Sequence, residues 1–324
     1  MWCLDMSDRA QTLGVVVPTI GDRPELRRLL LSVASQKRRP EAVCVVVDSK
    51  ETAMVVEIVD EISQAMDPIA VSVVSTGVDR VEGEYLVETG YGCAVNLGLA
   101  NLDTDLVSFL DDDDEILANH YSNLEAALNA ESGIDLAYSR VEVVSVDGRR
   151  RFFQSGDLPS GQFSAYTLMG AHPVLLPATL IRRALIDRIG HMDETLDRKA
   201  DTDMLVRLGA ATSFQAVDEA TYVYYRNPHG ADVHDKALEE MYHLIKKHSN
   251  SMSRKERWLS WDSLTRSSLK AGLSDLARDS AREAIRAWVS TAPGWLVSLY
   301  VRVRSLDAPT PIRRTLGNLR NRGG

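Results

Sequence analysis

Four consecutive aspartates at positions 111–114 are the feature of this sequence with the clearest chemical meaning. They follow an apolar run at 106–110 that has the composition of a buried strand. Clustered carboxylates raise one another's pKa values unless a cation lies among them. Oxygen ligands suit Mg²⁺ or Mn²⁺, and Mg²⁺ is commonly held by one or two carboxylates together with substrate phosphates. The cluster therefore predicts a divalent-metal site that also binds a diphosphate.

Runs of aspartate also occur in helix caps and in other kinds of binding loop. Aspartate favours helix N-caps and first turns, so one or two of the four are expected to cap a following helix. An EF-hand is excluded because Ile116 and Ser122 stand where that loop needs Gly and a bidentate Glu. The chain has no GxxxxGK[ST] loop, and the Gly90-Tyr91-Gly92 segment does not follow a strand as a dinucleotide fingerprint requires.

The first hundred residues predict the elements that must position the cluster. Val-rich runs at 14–18, 42–47, 69–74 and 106–110 read as strands, and the segments 24–36, 53–66 and 93–102 as helices between them. Open parallel sheets of this kind bind ligands beyond the carboxyl ends of their strands. The aspartates follow such an end, so their position and their composition agree.

The second half predicts a mixed sheet followed by helices. Segments 136–145 and 149–154 flank an Asp147-Gly148 turn, which is a strong hairpin signal. Helices are predicted at 183–189 and 201–209, a closing strand at 221–225, and helices from 235 onward. We place a domain boundary near 250, which separates a catalytic domain at 1–250 from a helical extension at 251–324.

Several segments resemble, in the family's own order, the inverting family 2 glycosyltransferases of the GT-A fold. VVVPTIGDRPELRRLLLSVASQ at 15–36 resembles the first strand, nucleotide loop and helix, and VCVVVDSKE at 43–51 resembles the second strand. The segment AVNLGL, followed by VSFLDDDDE, is similar to the family's ARNxG helix and DxD strand. The segment IGHMDETLDRKADTDMLVRLG at 189–209 is similar to the family's GxFDE motif and the catalytic region that follows it. The resemblance extends over residues 13–230 and implies a Rossmann-like mixed sheet flanked by helices, with a C-terminal helical appendage.

The resemblance also assigns roles to individual residues. It implies that Pro18, Thr19 and Asp48 form a nucleoside pocket. Asp111, Asp112 and Asp113 would contact ribose, diphosphate and Mn²⁺ or Mg²⁺, and Asp113 and His229 would ligate the metal directly. Asp201 would be the catalytic base.

An inverting displacement independently requires a second carboxylate, remote from the metal cluster. That group must deprotonate the acceptor hydroxyl on the face opposite the leaving nucleoside diphosphate. The candidates are Asp193, Glu194, Asp197, Asp201 and Asp203. Matching to the family pattern selects Asp201, with Asp203 as second choice; the alternative is that Asp201 only begins a helix.

The sequence departs from the family pattern at several positions. Val95 replaces an Arg, Ala200 replaces the Glu of the ED pair, Ser49-Lys50 replaces Asp-Gly, and Ile20 replaces an aromatic residue. Because the missing Arg contacts diphosphate in the family, Arg80 or His229 is expected to compensate. His172 falls where the family has acceptor-side residues.

The implied activity is metal-dependent hexosyl transfer from a nucleotide-sugar to a saccharide or lipid-linked acceptor, in the assembly of a surface polysaccharide. A sugar nucleotidyltransferase shares the βα plan, but PTIGDRP lacks the Gly-rich, basic signature of those enzymes. A silent nucleotide-sugar or glycan-binding protein is the third hypothesis. No motif in the sequence identifies the donor, the acceptor or the oligomeric state.

Bulk composition narrows the class of protein and its partners. A hydrophobic content of 44% and a net charge of −9 indicate a soluble globular protein and argue against a nucleic-acid partner. Residues 251–324 nevertheless hold 14 Lys and Arg against 6 Asp and Glu, interleaved with Trp288 and Trp295. This pattern predicts either an interfacial helix on an anionic membrane or a helix that packs on the catalytic domain or on a second subunit.

Location is predicted from the cysteines and the first residues. Cys3, Cys44 and Cys93 show neither disulfide nor zinc spacing, and no secretory signal opens the chain. We therefore expect a cytoplasmic protein that lies peripherally at the inner face of the cell membrane.

Overall fold

A computed structural model describes residues 10–21, 23–78, 90–171, 173–196, 198–226, 234–289 and 292–307. The chain divides into two compact units, one formed by residues 1–163 and 173–228, the other by residues 164–172 and 229–324. The predicted boundary near residue 250 lies inside the second unit. The assignment of residues 1–250 to a catalytic domain and of residues 251–324 to a helical extension stays a prediction.

The first unit begins with four parallel strands. They are β1 (Leu13–Thr19), β2 (Ala42–Val47), β3 (Ala70–Ser75) and β4 (Leu106–Phe109), and they lie in the order β3-β2-β1-β4. The connecting helices are α1 (Leu26–Ala34), α2 (Ala53–Glu61), the short α3 (Ser63–Met66) and α4 (Tyr91–Ala100). This half agrees closely with the predicted strands and crossovers, because buried parallel strands are continuous apolar runs that are easily recognised.

Close packing of helix on sheet sets the geometry of this half. On α1, four apolar side chains spaced three or four apart are buried, namely Leu26, Leu29, Leu30 and Val33. On α4, Gly98 lies so close to the sheet that a Cβ there would come within 2.4 Å of a Val16 methyl group. Glycine therefore lets α4 rest directly on β1 and β2.

The remaining strands make the sheet mixed. They are β5 (Glu115–Ile116), β6 (Leu136–Val144), β7 (Arg150–Phe152), β8 (Thr179–Arg182) and β9 (Phe214–Tyr225), with α5 (His120–Ala130), α6 (Arg183–Ile189) and α7 (Ala200–Ala211) between them. β8 is antiparallel to both β4 and β6, whereas β9 runs parallel to β6. The hairpin of β6 and β7 forms as predicted, with Gly148 at a φ of 78° in its turn. β5 and β8 were not predicted, and β9 begins seven residues before the predicted strand.

The second unit is helical, as predicted from residue 235 onward. Its helices are α8 (His234–His248), α9 (Arg254–Ala271), α10 (Ser274–Arg286) and α11 (Gly294–Asp307), and a π-helical turn at Thr167–Ala171 belongs to the same unit. Asp262 on α9 is buried and accepts hydrogen bonds from the Tyr300 hydroxyl and Arg304 of α11. Among the described helices, none has the length and apolarity needed to cross a membrane.

Candidate active site

A cleft of about 360 Å³ opens at the carboxyl ends of β1, β2 and β4. Its walls include all six residues predicted to bind the nucleotide-sugar, namely Pro18, Thr19, Asp48, Asp111, Asp112 and Asp113. They meet because the three strands run parallel and end at one edge of the sheet. The structure thus brings the predicted set together, and the role of each residue remains a prediction.

The four aspartates have different environments, and none caps a helix, since the next helix begins only at His120 with Asn119 as its N-cap. The expectation that one or two of them act as caps is therefore wrong. Asp114 instead anchors β9: its carboxylate accepts a hydrogen bond from the Tyr222 hydroxyl at 2.5 Å and another from the Tyr225 N–H at 2.8 Å. Burial nevertheless raises the pKa of Asp114 to about 7.

Asp111, Asp112 and Asp113 face the cleft. Burial raises the pKa of Asp112 to about 6, although a hydrogen bond to Thr19 and the charge of Arg23 oppose the shift. The pKa of Asp111 is raised well above its usual value by burial and by the neighbouring carboxylates, Asp114 above all. Asp113 forms an ion pair with Arg23, whose Nη1 lies 3.0 Å from Oδ2. A negative charge on Asp111 thus has strong unfavourable interactions that a bound cation would relieve.

Asp48 links β2 to the start of α4. Its backbone N–H donates to the Thr19 carbonyl at 2.7 Å, and its Oδ2 accepts from the Gly90 N–H at 2.9 Å. Gly90 has a φ of 108°, a conformation that favours glycine. Asp48 is buried and fixes the entry into α4 in addition to lining the cleft.

Tyr91 is a cleft residue that the sequence analysis missed. The helix predicted at 93–102 begins two residues earlier, and this places the Tyr91 side chain among the cleft-lining residues. Burial, followed by the charges of Asp111 and Asp201, raises the pKa of Tyr91 well above its usual value. The phenol therefore stays protonated under the influence of both Asp111 and the predicted base.

Asp201 lies in the first turn of α7, within electrostatic reach of Asp111. Its Oδ1 accepts a hydrogen bond from the Thr202 N–H at 2.6 Å. Asp203, the second choice for the base, is completely buried and pairs with Arg207 at 2.8 Å. Arg207 also donates to the carbonyls of Ile189, Gly190 and His191, so the Asp203–Arg207 pair stabilises the loop that leads into α7.

A second set of contacts connects that loop to α4. Asn96 exchanges two hydrogen bonds with the backbone of Met192, at 2.9 and 3.1 Å, and donates to Glu194 at 2.7 Å. Gly92 lies so close that a Cβ there would be 3.3 Å from the Asp193 carbonyl oxygen. The first two turns of α4 therefore position the loop that leads to Asp201.

The two main departures from the family pattern are buried positions. Val95 is completely buried in α4, and Ala200 is 1% exposed. Arg23 and Arg198 line the cleft and supply positive charge there, and neither was predicted from the sequence. Arg23 could have been found in the PTIGDRP loop, which joins β1 to α1. His229, His172, Asp197 and Arg80 lie outside the described residues.

The donors present fit a divalent cation bound together with a diphosphate. The described residues contain no group of three His, Cys, Asp or Glu side chains placed to enclose a metal. Mg²⁺ held with substrate phosphates needs only one or two carboxylates, however. Asp111 and Asp113 line the same cleft, and the accumulated negative charge around Asp111 favours a cation there.

Comparison with known proteins gives a family and a fold. Residues 14–189 match the model of the family described as glycosyl transferase family 2. The crystal structure of Staphylococcus aureus TarS residues 1–349 is similar, with a TM-score of 0.63, 18% identity, and coverage of 91% of this chain and 88% of that one. The same fragment in complex with UDP-GlcNAc has a TM-score of 0.62 at 18% identity, with the same coverage.

A longer TarS structure gives a TM-score of 0.62 at 18% identity, and this chain spans 53% of it. No curated protein sequence matches the chain. The mixed sheet with flanking helices is that of the GT-A fold, as the sequence predicted.

Proposed function

The chain belongs to glycosyl transferase family 2, and we propose that it transfers a hexose, with inversion, from a nucleotide-sugar to a saccharide or lipid-linked acceptor in surface glycan assembly. The observation that best supports this activity is the cleft itself. It gathers the six predicted donor-binding residues at one sheet edge, and the charge of the remote Asp201 is near enough to contribute to the raised pKa of Asp111.

Each group of residues has a distinct role in the proposal. Pro18, Thr19 and Asp48 bind the nucleoside, and residues 111–113 bind ribose and diphosphate. S. aureus TarS has been crystallised with UDP and with UDP-GlcNAc, so UDP-sugars are the first donors to test.

Asp201 acts as the general base. Its carboxylate takes the proton of an acceptor hydroxyl while that oxygen bonds to the anomeric carbon, and the bond to the nucleoside diphosphate breaks on the opposite face. Asp201 keeps Oδ2 for this proton, since the described hydrogen bonds of its side chain involve Oδ1. Asn96 and Arg207 hold the loop from which Asp201 projects.

Asp113, with His229 as a second proposed ligand, would hold Mn²⁺ or Mg²⁺ against the diphosphate. The bound ion would neutralise negative charge that develops on the leaving group. Arg23 and Arg198 add positive charge to the same cleft in place of the family's Arg at position 95.

We also propose that α11 contacts an anionic membrane, where a lipid-linked acceptor would be found. Val297 packs towards α10, whereas Trp295, Leu299 and Val303 form an outward stripe of residues that are each at least 49% exposed. A helix with such a stripe, in a segment with excess Lys and Arg, matches the chemistry of an anionic bilayer surface. We further propose a cytoplasmic location, a reducing compartment in which thiols such as that of the buried Cys44 persist.

Vesicle sedimentation tests this contact. We expect binding to phosphatidylglycerol vesicles, little binding to phosphatidylcholine, and loss of binding in Trp295→Ser/Leu299→Ser. Val146→Ser serves as the control, because Val146 is 69% exposed but lies at the β6–β7 turn of the first unit. A different result would favour packing of α11 on a second subunit. In that case light scattering would show a dimer for the native protein and a monomer for the double variant, and the double variant would bind vesicles as the native protein does.

Nucleoside diphosphate release from a panel of nucleotide-sugars tests the activity. We expect turnover that requires Mn²⁺ or Mg²⁺ and collapses in Asp113→Ala and Asp201→Asn. Asp60→Asn, an exposed carboxylate on α2, is the control and retains activity. Metal-dependent binding without release, even with candidate acceptors, would favour a silent binding protein; sugar-nucleotide formation from a sugar phosphate and a nucleoside triphosphate would favour a nucleotidyltransferase.

A further inference from the structure

Arg23 pairs with the carboxylate that the proposed function gives to the metal. It lies in the loop between β1 and α1, and its Nη1 is 3.0 Å from Asp113 Oδ2. The two side chains are 29% and 24% exposed, so water screens the pair only partly. The guanidinium therefore occupies the Asp113 carboxylate to which a divalent cation would bind.

The backbone of Asp113 is held separately. Arg28 on α1 donates to the main-chain carbonyl of Asp113, and its guanidinium stacks on the Tyr225 ring at 4.0 Å. Asp114, the next residue, is anchored to β9. Arg23 can therefore leave the Asp113 side chain without releasing the turn that carries it.

A diphosphate gives Arg23 a better partner than one carboxylate. Guanidinium groups bind phosphate oxygens with paired, charge-assisted hydrogen bonds, and a nucleoside diphosphate carries more than one negative charge. Arg23 lines the cleft together with residues 111–113, so its guanidinium lies at the site proposed for the diphosphate. A shift of the guanidinium to phosphate would leave the Asp113 carboxylate open.

We propose that Arg23 is a counter-ion gate: it occupies Asp113 while the cleft is empty, and it moves to the diphosphate when the donor binds, which frees Asp113 for the metal. This regulation rests on the proposed function of the same cleft. It makes donor and metal binding mutually dependent, since each ligand must raise the affinity of the other by the same factor. Metal alone binds weakly because it competes with the guanidinium.

Titration of Mn²⁺ alone, followed by electron paramagnetic resonance of the free ion, tests the gate. We expect Arg23→Gln to bind Mn²⁺ about fivefold more tightly than the native protein, the size expected for loss of a partly exposed ion pair. Arg23→Lys keeps the charge and should stay close to native affinity. Arg27→Gln is the matched control, because Arg27 lies nearby on α1 but pairs with Glu61.

The second arm repeats the titration with saturating UDP, GDP or CDP, using whichever binds the native protein. In the native protein the diphosphate should raise Mn²⁺ affinity, and in Arg23→Gln this increase should shrink while diphosphate affinity falls. A melting temperature near the native value checks that Arg23→Gln is folded.

Mn²⁺ affinity that is unchanged or weaker in Arg23→Gln than in Arg27→Gln overturns the gate, as does absence of Mn²⁺ binding in every protein. Tighter Mn²⁺ binding in Arg23→Gln without turnover of any nucleotide-sugar would leave the gate standing and refute the glycosyl transfer alone.

Discussion

Asp201 and Asp203 stand two positions apart on one helix, yet substitution of each should affect a different property. Asp203 is completely buried against Arg207, so Asp203→Asn removes the charge of a buried pair and leaves the arginine without its counter-ion. The expected cost is about 2–4 kcal/mol in the free energy of unfolding. For a unit of this size, that lowers the melting temperature by about 5–12 °C.

Asp201→Asn should hardly change stability. Asp201 lies in the first turn of α7, where a negative charge contributes about 0.3–1 kcal/mol, and its removal also relieves repulsion with Asp111. Loss of a general base instead lowers turnover by about 10²–10⁴-fold. The two variants should therefore separate activity from stability.

The assay pairs thermal unfolding with initial rates of nucleoside diphosphate release, measured well below the melting temperature of Asp203→Asn. Asp187→Asn is the control, because Asp187 makes the same i,i+4 contact with Arg183 on α6 but is 53% exposed, and should change neither property. An Asp203→Asn protein with normal melting and no turnover, beside an active Asp201→Asn, would show that Asp203 is the base.

Three further outcomes are expected. Burial lowers the pKa of His120 to about 3, so the unfolded chain takes up the proton first and stability falls as pH drops below about 6.5. His120→Gln should remove about 2 kcal/mol of the loss between pH 7.5 and 5.0, measured by urea unfolding; an identical pH dependence would contradict the assignment. Gly98→Ala should cost about 1–3 kcal/mol because its methyl group meets Val16, whereas Gly294→Ala, which meets nothing, should be neutral on thermal unfolding. Asn96→Ala should lower kcat about tenfold or more by loosening the loop before Asp201, and an unchanged kcat would refute that role.

The parallel half of the fold and the location of the cleft could be predicted from the sequence. Burial of Val-rich runs and amphipathic segments can be predicted from a short stretch of sequence. For this reason the prediction for β2 has the same first and last residues as the strand in the structure. Parallel strands joined by helices end at one sheet edge, so the aspartates after β4 and Asp48 after β2 had to lie near each other. β8 and the first part of β9 were not found, because their pairing with β6 depends on residues far away in the chain.

What only the tertiary structure decided is how chemically similar residues differ. The chain presents four aspartates in a row and two more in α7. Composition and periodicity do not separate them, and only the family resemblance singles out Asp113 and Asp201. Asp114 differs from Asp113 because Tyr222, 108 residues away, binds one and Arg23, 90 residues away, binds the other. The different environments of these similar carboxylates thus come from long-range contacts and burial. The presence of the cluster at a strand end is a local property, which the sequence alone determines.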